Sequence, residues 1–322
     1  MSGGTCLVEM YHYVRDSDAT AFPALRALAP ALFEQQLDWL QSEHTVIDLA
    51  DLEAALDGRR ALPPRAALLT FDDGFVDHYE VVFPVLRRRG LGGVFFLSGA
   101  VSEPVPRLLD VHCTHFLLAR LGAEALGRAV RAECNGNRPA PGTGATVLGA
   151  DRWDDDREIK HLLNYELPFD EADRVLEALF TRHIGDRASL AGRLYLNEAM
   201  VREMRRGGMT FGYHTRTHRM LSRLDLREQE RELGPGVSWI RDLTGQGSVP
   251  FCYPWGGPRT YTADTVRLLE KAGYSLAFNT VRRRLALGVD GRFELPRFDT
   301  RDLPPYTSGE AHTVAAASAD EA

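Results

Sequence analysis

The hydrophobic positions of this chain alternate between short apolar runs and stretches with helical periodicity, a pattern typical of a parallel α/β sheet. Residues 66–71 predict a strand, and the prolines just before them break the chain. Residues 30–43 carry apolar positions on one helical face, and Asn197 can cap a helix over residues 198–206. Further short strands are expected at residues 46–49, 93–97 and 275–279.

Residues 103–194 interrupt this alternation with helical patterns near residues 108–131, 156–165 and 170–183. The glycine- and proline-rich stretch 135–144 predicts a loop within this insertion. We expect the insertion to act as a lid or as the contact of a homo-oligomer. The alanine-rich residues 307–322 predict a disordered tail, which leaves one domain over residues 1–306.

Composition and charge limit the classes of binding partner and the cellular compartment that we expect for this protein. With 322 residues and 44% hydrophobic content the chain can bury a large core. The formal net charge of −7 argues against nucleic acid or an anionic membrane as partner. Four scattered cysteines suit reduced thiols better than a disulfide framework. The first residues lack the pattern of a secretory signal, so the expected location is cytoplasmic.

The most informative candidate chemistry lies where the strand over residues 66–71 runs into Asp72, Asp73 and Gly74. Successive side chains of an extended chain point to opposite faces, so the two carboxylates cannot do the same work. One could bind a metal while the other handles a proton. Taken alone, Asp-Asp-Gly is an ordinary solvated turn.

A second candidate is the pair His214 and His218, which follows another short apolar run. In a helical turn, residues four apart share a face, so both imidazoles could reach one ion. Two histidines and one aspartate would leave open positions on a divalent metal, as catalysis requires. The insertion carries further histidines, interpreted as packing or surface residues: His112, His115 and His161.

Three other segments carry polar groups near probable strand ends. Trp255 lies in a proline-aromatic-glycine turn that can aim a backbone N–H into a pocket. Arg297 and Asp299 follow a proline, and His12 lies in the second half of the probable first strand. A core or surface role for His12, Arg297 and Asp299 is an equally good interpretation from the residues alone.

The order Thr-Phe-Asp-Asp-Gly, Gly-x-His-Thr-x-Thr-His and Pro-aromatic-Gly resembles the polysaccharide deacetylases, the NodB-homology carbohydrate esterases. The resemblance covers most of residues 5–305 and implies a distorted (β/α) barrel. It implies that Asp72 is the general base and that Asp73, His214 and His218 hold one divalent ion. Zinc is the first choice, with cobalt or nickel as alternatives. The resemblance also implies that the Trp255 backbone N–H binds the oxyanion.

Two departures from the family pattern change the assignment. Cys252 stands where the family has an arginine that holds the base, so we infer that Arg297 reaches Asp72 instead, with Asp299 beside it as a further catalytic candidate. The late histidine that serves as general acid is missing as well. The segment around His12 is similar to the N-terminal Tyr-His strand of poly-N-acetylglucosamine deacetylases, which makes His12 the expected acid.

The expected reaction is removal of an N-acetyl group from an amino sugar. A cytoplasmic enzyme would meet a soluble saccharide, a nucleotide sugar or an aminoglycoside-like compound. The aromatic residues that flank the motifs, Tyr11, Tyr13, Tyr213, Tyr253 and Trp255, favour a sugar. The alternatives are a hydrolase of a non-sugar linear or cyclic amide and a non-catalytic carbohydrate-binding protein.

Overall fold

The computed structural model describes residues 4–102, 107–134 and 157–307. Within them lies a curled sheet whose neighbouring strands run in the order β7-β6-β5-β4-β3-β1-β8, with β2 paired to β3 and β9 to β1. The pairings are parallel except that of β1 with β8. The strands are β1 Thr5–Tyr11, β2 Thr45–Val46, β3 Ala66–Phe71, β4 Val94–Leu97, β5 Thr210–Tyr213, β6 Phe251–Cys252, β7 Ala277–Phe278, β8 Leu285–Ala286 and β9 Phe298–Asp299.

Helices occupy the connections between strands, as a distorted (β/α) barrel requires. They are α1 Pro30–Glu43, α2 Leu49–Leu56, α3 Phe83–Arg89, α4 Gly99–Ser102, α5 Asp110–Leu121, α6 Ala123–Glu133, α7 Arg157–His161, α8 Phe169–His183, α9 Arg187–Leu194, α10 Glu198–Arg206, α11 Leu226–Leu233, α12 Gly236–Thr244 and α13 Ala263–Ala272. The predicted fold class is therefore confirmed. None of the helices in the described ranges is both long and apolar enough to cross a bilayer.

The central strand β3 is buried on both faces, which explains its continuous apolar run. Its alternate residues pack into two different clusters, Ala67 and Leu69 on one side and Ala66 and Leu68 on the other. Asp72 continues the parity of Leu68, so its side chain points to the second face. The period of two thus decides which side of the sheet receives the first carboxylate.

Several predicted elements have the predicted bounds, among them α1, β3 and α10. The strand expected at residues 46–49 is wrong in its second half, because it ends at Val46 and Leu49 begins a helix. Asp48 and Asp51 form a capping box there, and this local pairing starts the helix early.

The region predicted as an insertion is helical, with α5 to α9 in its described part. The single helix expected over residues 108–131 is divided at Gly122, whose φ of 75° ends α5 before α6 begins. Arg187 anchors the start of α5 by donating to the Leu108 carbonyl at 2.7 Å and to Asp110 at 2.9 Å. The predicted loop 135–144 and all but one residue of the predicted tail lie outside the described residues, and self-association remains a prediction.

Candidate active site

The two adjacent carboxylates separate because the backbone turns between them. The Asp72 N–H still donates to the Tyr11 carbonyl at 2.9 Å and so continues the β1–β3 ladder. Asp73 has a left-handed φ of 77°, and Gly74 follows at 68°. Such backbone strain concentrates at functional sites in proteins. Four of the five non-glycine residues with positive φ in the described chain belong to the candidate motifs: Asp73, Thr215, His218 and Trp255.

Asp73, His214 and His218 converge on one point. Asp73 Oδ1 lies 3.6 Å from His214 Nε2 and 3.5 Å from His218 Nε2. Two ligands roughly 2.1 Å from a tetrahedral ion lie about 3.4 Å apart, which matches this spacing. Asp73 Oδ1 is buried and has no hydrogen-bond partner in the described structure. The three side chains therefore fit a divalent metal ion, with a donor set that suits zinc.

The surroundings of the two histidines suit them for ligation. His214 Nδ1 donates to the Cys252 carbonyl at 2.8 Å, which leaves the Nε2 lone pair free. Burial and the neighbouring His214 lower the pKa of His218 to about 3. Burial also lowers the pKa of His214, although Asp72 and Asp73 oppose this. Neutral imidazoles are the form that binds metals.

The expectation of a helical turn for this histidine pair is wrong, because both residues lie in an irregular loop after β5. Thr215 has a φ of 64°, and its Oγ1 accepts from the His218 N–H at 3.0 Å. Glu232 accepts from Thr217 N at 2.8 Å and from Thr217 Oγ1 at 2.7 Å. These hydrogen bonds fold the loop so that imidazoles four residues apart still meet.

Asp72 forms the predicted contact with Arg297. Arg297 Nη1 and Nη2 each lie 2.8 Å from one carboxylate oxygen, and both side chains are buried. Arg297 Nη2 also lies 2.9 Å from Cys252 Sγ. Burial alone would raise the pKa of Asp72, but the guanidinium prevails and holds it well below its usual range. Asp72 is therefore an ionised carboxylate at neutral pH.

His12 lies one residue beyond the end of β1 rather than within the strand. Its Nε2 is 3.9 Å from Asp72 Oδ2, and its side chain is 41% exposed. The buried His78 Nε2 donates to the His12 carbonyl at 3.0 Å and fixes this turn. Burial lowers the pKa of His78 to about 4, so His78 remains neutral. His12 thus borders both Asp72 and solvent, where a proton donor can be recharged.

Asp299 contacts a neighbouring turn, whereas Trp255 contacts one of the candidate metal ligands. Asp299 Oδ1 accepts from the Arg301 N–H at 3.1 Å and from Arg301 Nε at 3.2 Å, so it caps a short turn. The Trp255 indole donates to the His218 carbonyl at 3.3 Å. A narrow cavity of about 20 Å³ beside Trp255 and His218 is walled by insertion residues such as Phe169.

The tyrosines that flank the motifs do not line an open site. Tyr11, Tyr13, Tyr213 and Tyr253 are buried, so these four tyrosines offer no sugar platform.

His112 is the residue that sequence reasoning missed. The sequence favours a packing or surface role, and His112 is fully buried as packing requires, but its Nε2 also lies 3.2 Å from Asp73 Oδ2. Its Nδ1 lies 2.6 Å from the Tyr195 hydroxyl. No local motif marks this contact, because α5 reaches Asp73 through the tertiary packing of the insertion.

Part of this chain is similar in sequence to known deacetylases. The sequence model of the polysaccharide deacetylase family matches residues 174–277, which include His214, His218 and Trp255. The chain therefore contains a segment that matches the polysaccharide deacetylase family. Over 102 residues it is 34% identical to the poly-β-1,6-N-acetyl-D-glucosamine N-deacetylase of Escherichia coli K12. The matched stretch is 31% of this chain and 14% of that protein.

Solved structures share the fold over nearly the whole chain. The Streptococcus pyogenes deacetylase PplD, in complex with acetate, superposes with a TM-score of 0.58 at 16% identity and covers 92% of this chain and 93% of its own. IcaB from Ammonifex degensii superposes with a TM-score of 0.54 at 19% identity, covering 92% and 91%. At such identities the likeness concerns the fold. The Asp72–Arg297 pair lies outside the matched residues 174–277, so geometry alone connects it with the histidines.

Proposed function

We propose that this protein is a metal-dependent N-deacetylase of an amino sugar. The observation that carries the proposal is the pairing of a metal-type cluster, Asp73 with His214 and His218, with a second, ionised carboxylate, Asp72. A metal-binding module without catalysis would not need a buried base fixed by Arg297. The name of the E. coli relative supports an N-acetylated glucosamine substrate.

The chain's own groups have separate tasks in this reaction. When bound, a divalent ion supplies Lewis acidity that makes water a nucleophile near neutral pH. Asp72 accepts the proton of the attacking water at Oδ2, the oxygen nearer His12, while Arg297 keeps the carboxylate oriented. His12 delivers a proton from Nε2 to the departing amine, since an amide anion is a very poor leaving group.

The Trp255 backbone N–H is the proposed oxyanion donor. Trp255 has a left-handed φ of 66°, and Thr280 Oγ1 donates to its carbonyl at 3.1 Å, which fixes the backbone on the C-terminal side of this N–H. Loss of one such donor typically costs roughly 3–4 kcal/mol of transition-state stabilisation. Asp299 is proposed to act by holding the turn after β9 and by placing negative charge near His12, not by contact with substrate.

Acetate release from a panel of N-acetylated amino sugars tests the proposal. The panel should contain β-1,6-linked N-acetylglucosamine oligomers, a nucleotide-linked N-acetylamino sugar, an N-acetylated aminoglycoside and simple non-sugar amides. We expect release from at least one sugar, abolished in Asp72→Asn and His214→Ala. The exposed residues Asp242 and His183 offer matched controls, Asp242→Asn and His183→Ala, with wild-type turnover.

Hydrolysis of the non-sugar amides alone would overturn the sugar assignment, and sugar binding without turnover would indicate a carbohydrate-binding protein. The panel also decides between polymer-like and soluble substrates. The cytoplasmic location remains a prediction, which fractionation of cells that make the native protein tests.

A further inference from the structure

His112 connects the insertion with the candidate metal site. Its Nε2 lies 3.2 Å from Asp73 Oδ2, the carboxylate oxygen opposite the one that His214 and His218 face. We propose that His112 is a positioning residue that fixes the rotation of the Asp73 carboxylate and so sets the affinity of the site for its metal. The inference rests on the proposed metal-dependent function.

The hydrogen-bond chain behind His112 determines which nitrogen carries its proton. The Leu109 N–H donates to the Tyr195 hydroxyl oxygen at 3.1 Å. We assign the single hydroxyl hydrogen of Tyr195 to the contact with His112 Nδ1, which lies 2.6 Å from the hydroxyl oxygen. With Nδ1 as the acceptor, a neutral His112 carries its proton on Nε2, which faces Asp73 Oδ2.

His214 shows the opposite arrangement. Its Nδ1 donates to the Cys252 carbonyl, so its Nε2 is the unprotonated atom that can bind a metal. Two buried histidines thus approach the same aspartate with opposite tautomers. His214 can bind the ion. His112 Nε2 is buried, makes no hydrogen bond in the described structure and lies 3.2 Å from Asp73 Oδ2, so its proton is free to be donated to this ligand. Mutation of a residue that hydrogen-bonds to a metal-ligating carboxylate typically weakens metal affinity 10- to 100-fold.

His112 is held rigidly enough for this role. Its ring centroid lies 4.8 Å from that of Phe75 and 5.5 Å from that of Tyr195, and its side chain is fully buried. Arg187 fixes the start of α5 through the Leu108 carbonyl and Asp110. A hydrogen-bond donor on a side chain held this rigidly limits the Asp73 carboxylate to one orientation. Docking of the insertion therefore completes the metal site.

Metal affinity of the stripped protein tests the proposal without relying on turnover. Zinc affinity is measured by competition with a chromogenic chelator, and the visible spectrum of the cobalt form reports the ligand geometry. We expect His112→Phe to weaken zinc binding about 10- to 100-fold and to change the cobalt spectrum. His112→Gln retains an N–H donor and should recover part of the affinity.

The neighbouring His115 provides the matched control. It lies on the same helix, its Nδ1 is 3.5 Å from the Tyr13 hydroxyl and its ring contacts that of His112, but its hydrogen-bond partner is Tyr13 rather than Asp73. His115→Gln should bind zinc within twofold of the wild type. If His112→Phe fails to fold, Tyr195→Phe removes only the hydroxyl and should weaken zinc binding severalfold.

Wild-type affinity and an unchanged cobalt spectrum in the folded His112→Phe or Tyr195→Phe variant would overturn the positioning role alone. Absence of metal binding by the wild-type protein would overturn the proposed function as well.

Discussion

Arg297 and Asp72 lie 225 positions apart in the sequence and form a buried bidentate ion pair, with both N–O distances at 2.8 Å. Cys252, which stands at the position of the family's usual arginine, contacts both partners, with its Sγ 2.9 Å from Arg297 Nη2 and 3.4 Å from Asp72 Oδ2. The guanidinium thus reaches the base from a different strand end.

Arg297→Lys should lower kcat about 10- to 100-fold. An ammonium group cannot reproduce the two parallel hydrogen bonds, and a hydrogen bond to a charged group contributes about 1.5–3 kcal/mol. Steady-state kinetics with the best substrate of the panel measure the effect, and thermal unfolding checks the fold. Arg59→Lys, at the exposed pair with Asp57, is the control and should remain within twofold. Unchanged kcat in Arg297→Lys would show that Asp72 needs no bidentate partner.

His12→Gln should lower the rate of amide hydrolysis about 10²- to 10⁴-fold, the usual contribution of a general acid. The loss should be less than tenfold with an aryl acetate ester, because a phenolate departs without a proton. The comparison of both substrates in one variant separates proton donation from substrate binding. His183→Gln, at an exposed position, is the control. Equal losses on the amide and the ester would contradict the role of His12 as the acid.

Glu9→Gln should be more stable than the wild type at pH 8, and this stability difference should be larger at pH 8 than at pH 5. Glu9 is buried, and neither of its carboxylate oxygens has a hydrogen-bond partner in the described structure. Burial, and then the charges of Asp299 and Asp302, raise the pKa of Glu9 well above its usual range.

The sign follows from where each state releases its proton. Below the unfolded pKa, near 4.3, both states hold the proton, so the stability does not change with pH through this group. Above it, the unfolded state ionises first, so wild-type stability falls by up to about 1.4 kcal/mol per pH unit until the folded pKa is reached. Urea midpoints of wild type and Glu9→Gln at both pH values measure this effect. A difference between the two proteins that is the same at pH 5 and pH 8 would show that Glu9 does not titrate in this way.

The sequence predicted those parts of the site that lie close to strand ends. Asp72, Asp73, His214 and His218 follow β3 and β5, where the chain leaves the sheet at the same edge. Parallel pairing of β3, β4 and β5 then brings them together. Cys252 at a position where the resemblance implies an arginine also predicts that another cation, Arg297, pairs with Asp72, because a buried carboxylate requires a cation.

The remaining parts depend on tertiary packing that no local pattern encodes. His112 lies on a helix of the insertion, and only the docking of α5 brings it to Asp73. The histidine loop has no helical turn, because Thr215 and Glu232 replace helical hydrogen bonds by side-chain bonds. Tyrosines that looked like sugar platforms pack in the core instead, since aromatic residues beside strand ends serve both purposes equally well.

The most direct test of the central claim is a metal titration of acetate release by the stripped wild-type protein, with the best substrate of the panel. The account predicts negligible release without metal and full recovery at one equivalent of zinc or cobalt per chain. Asp72→Asn should bind the same equivalent and remain inactive. Undiminished acetate release by the stripped protein would contradict the account.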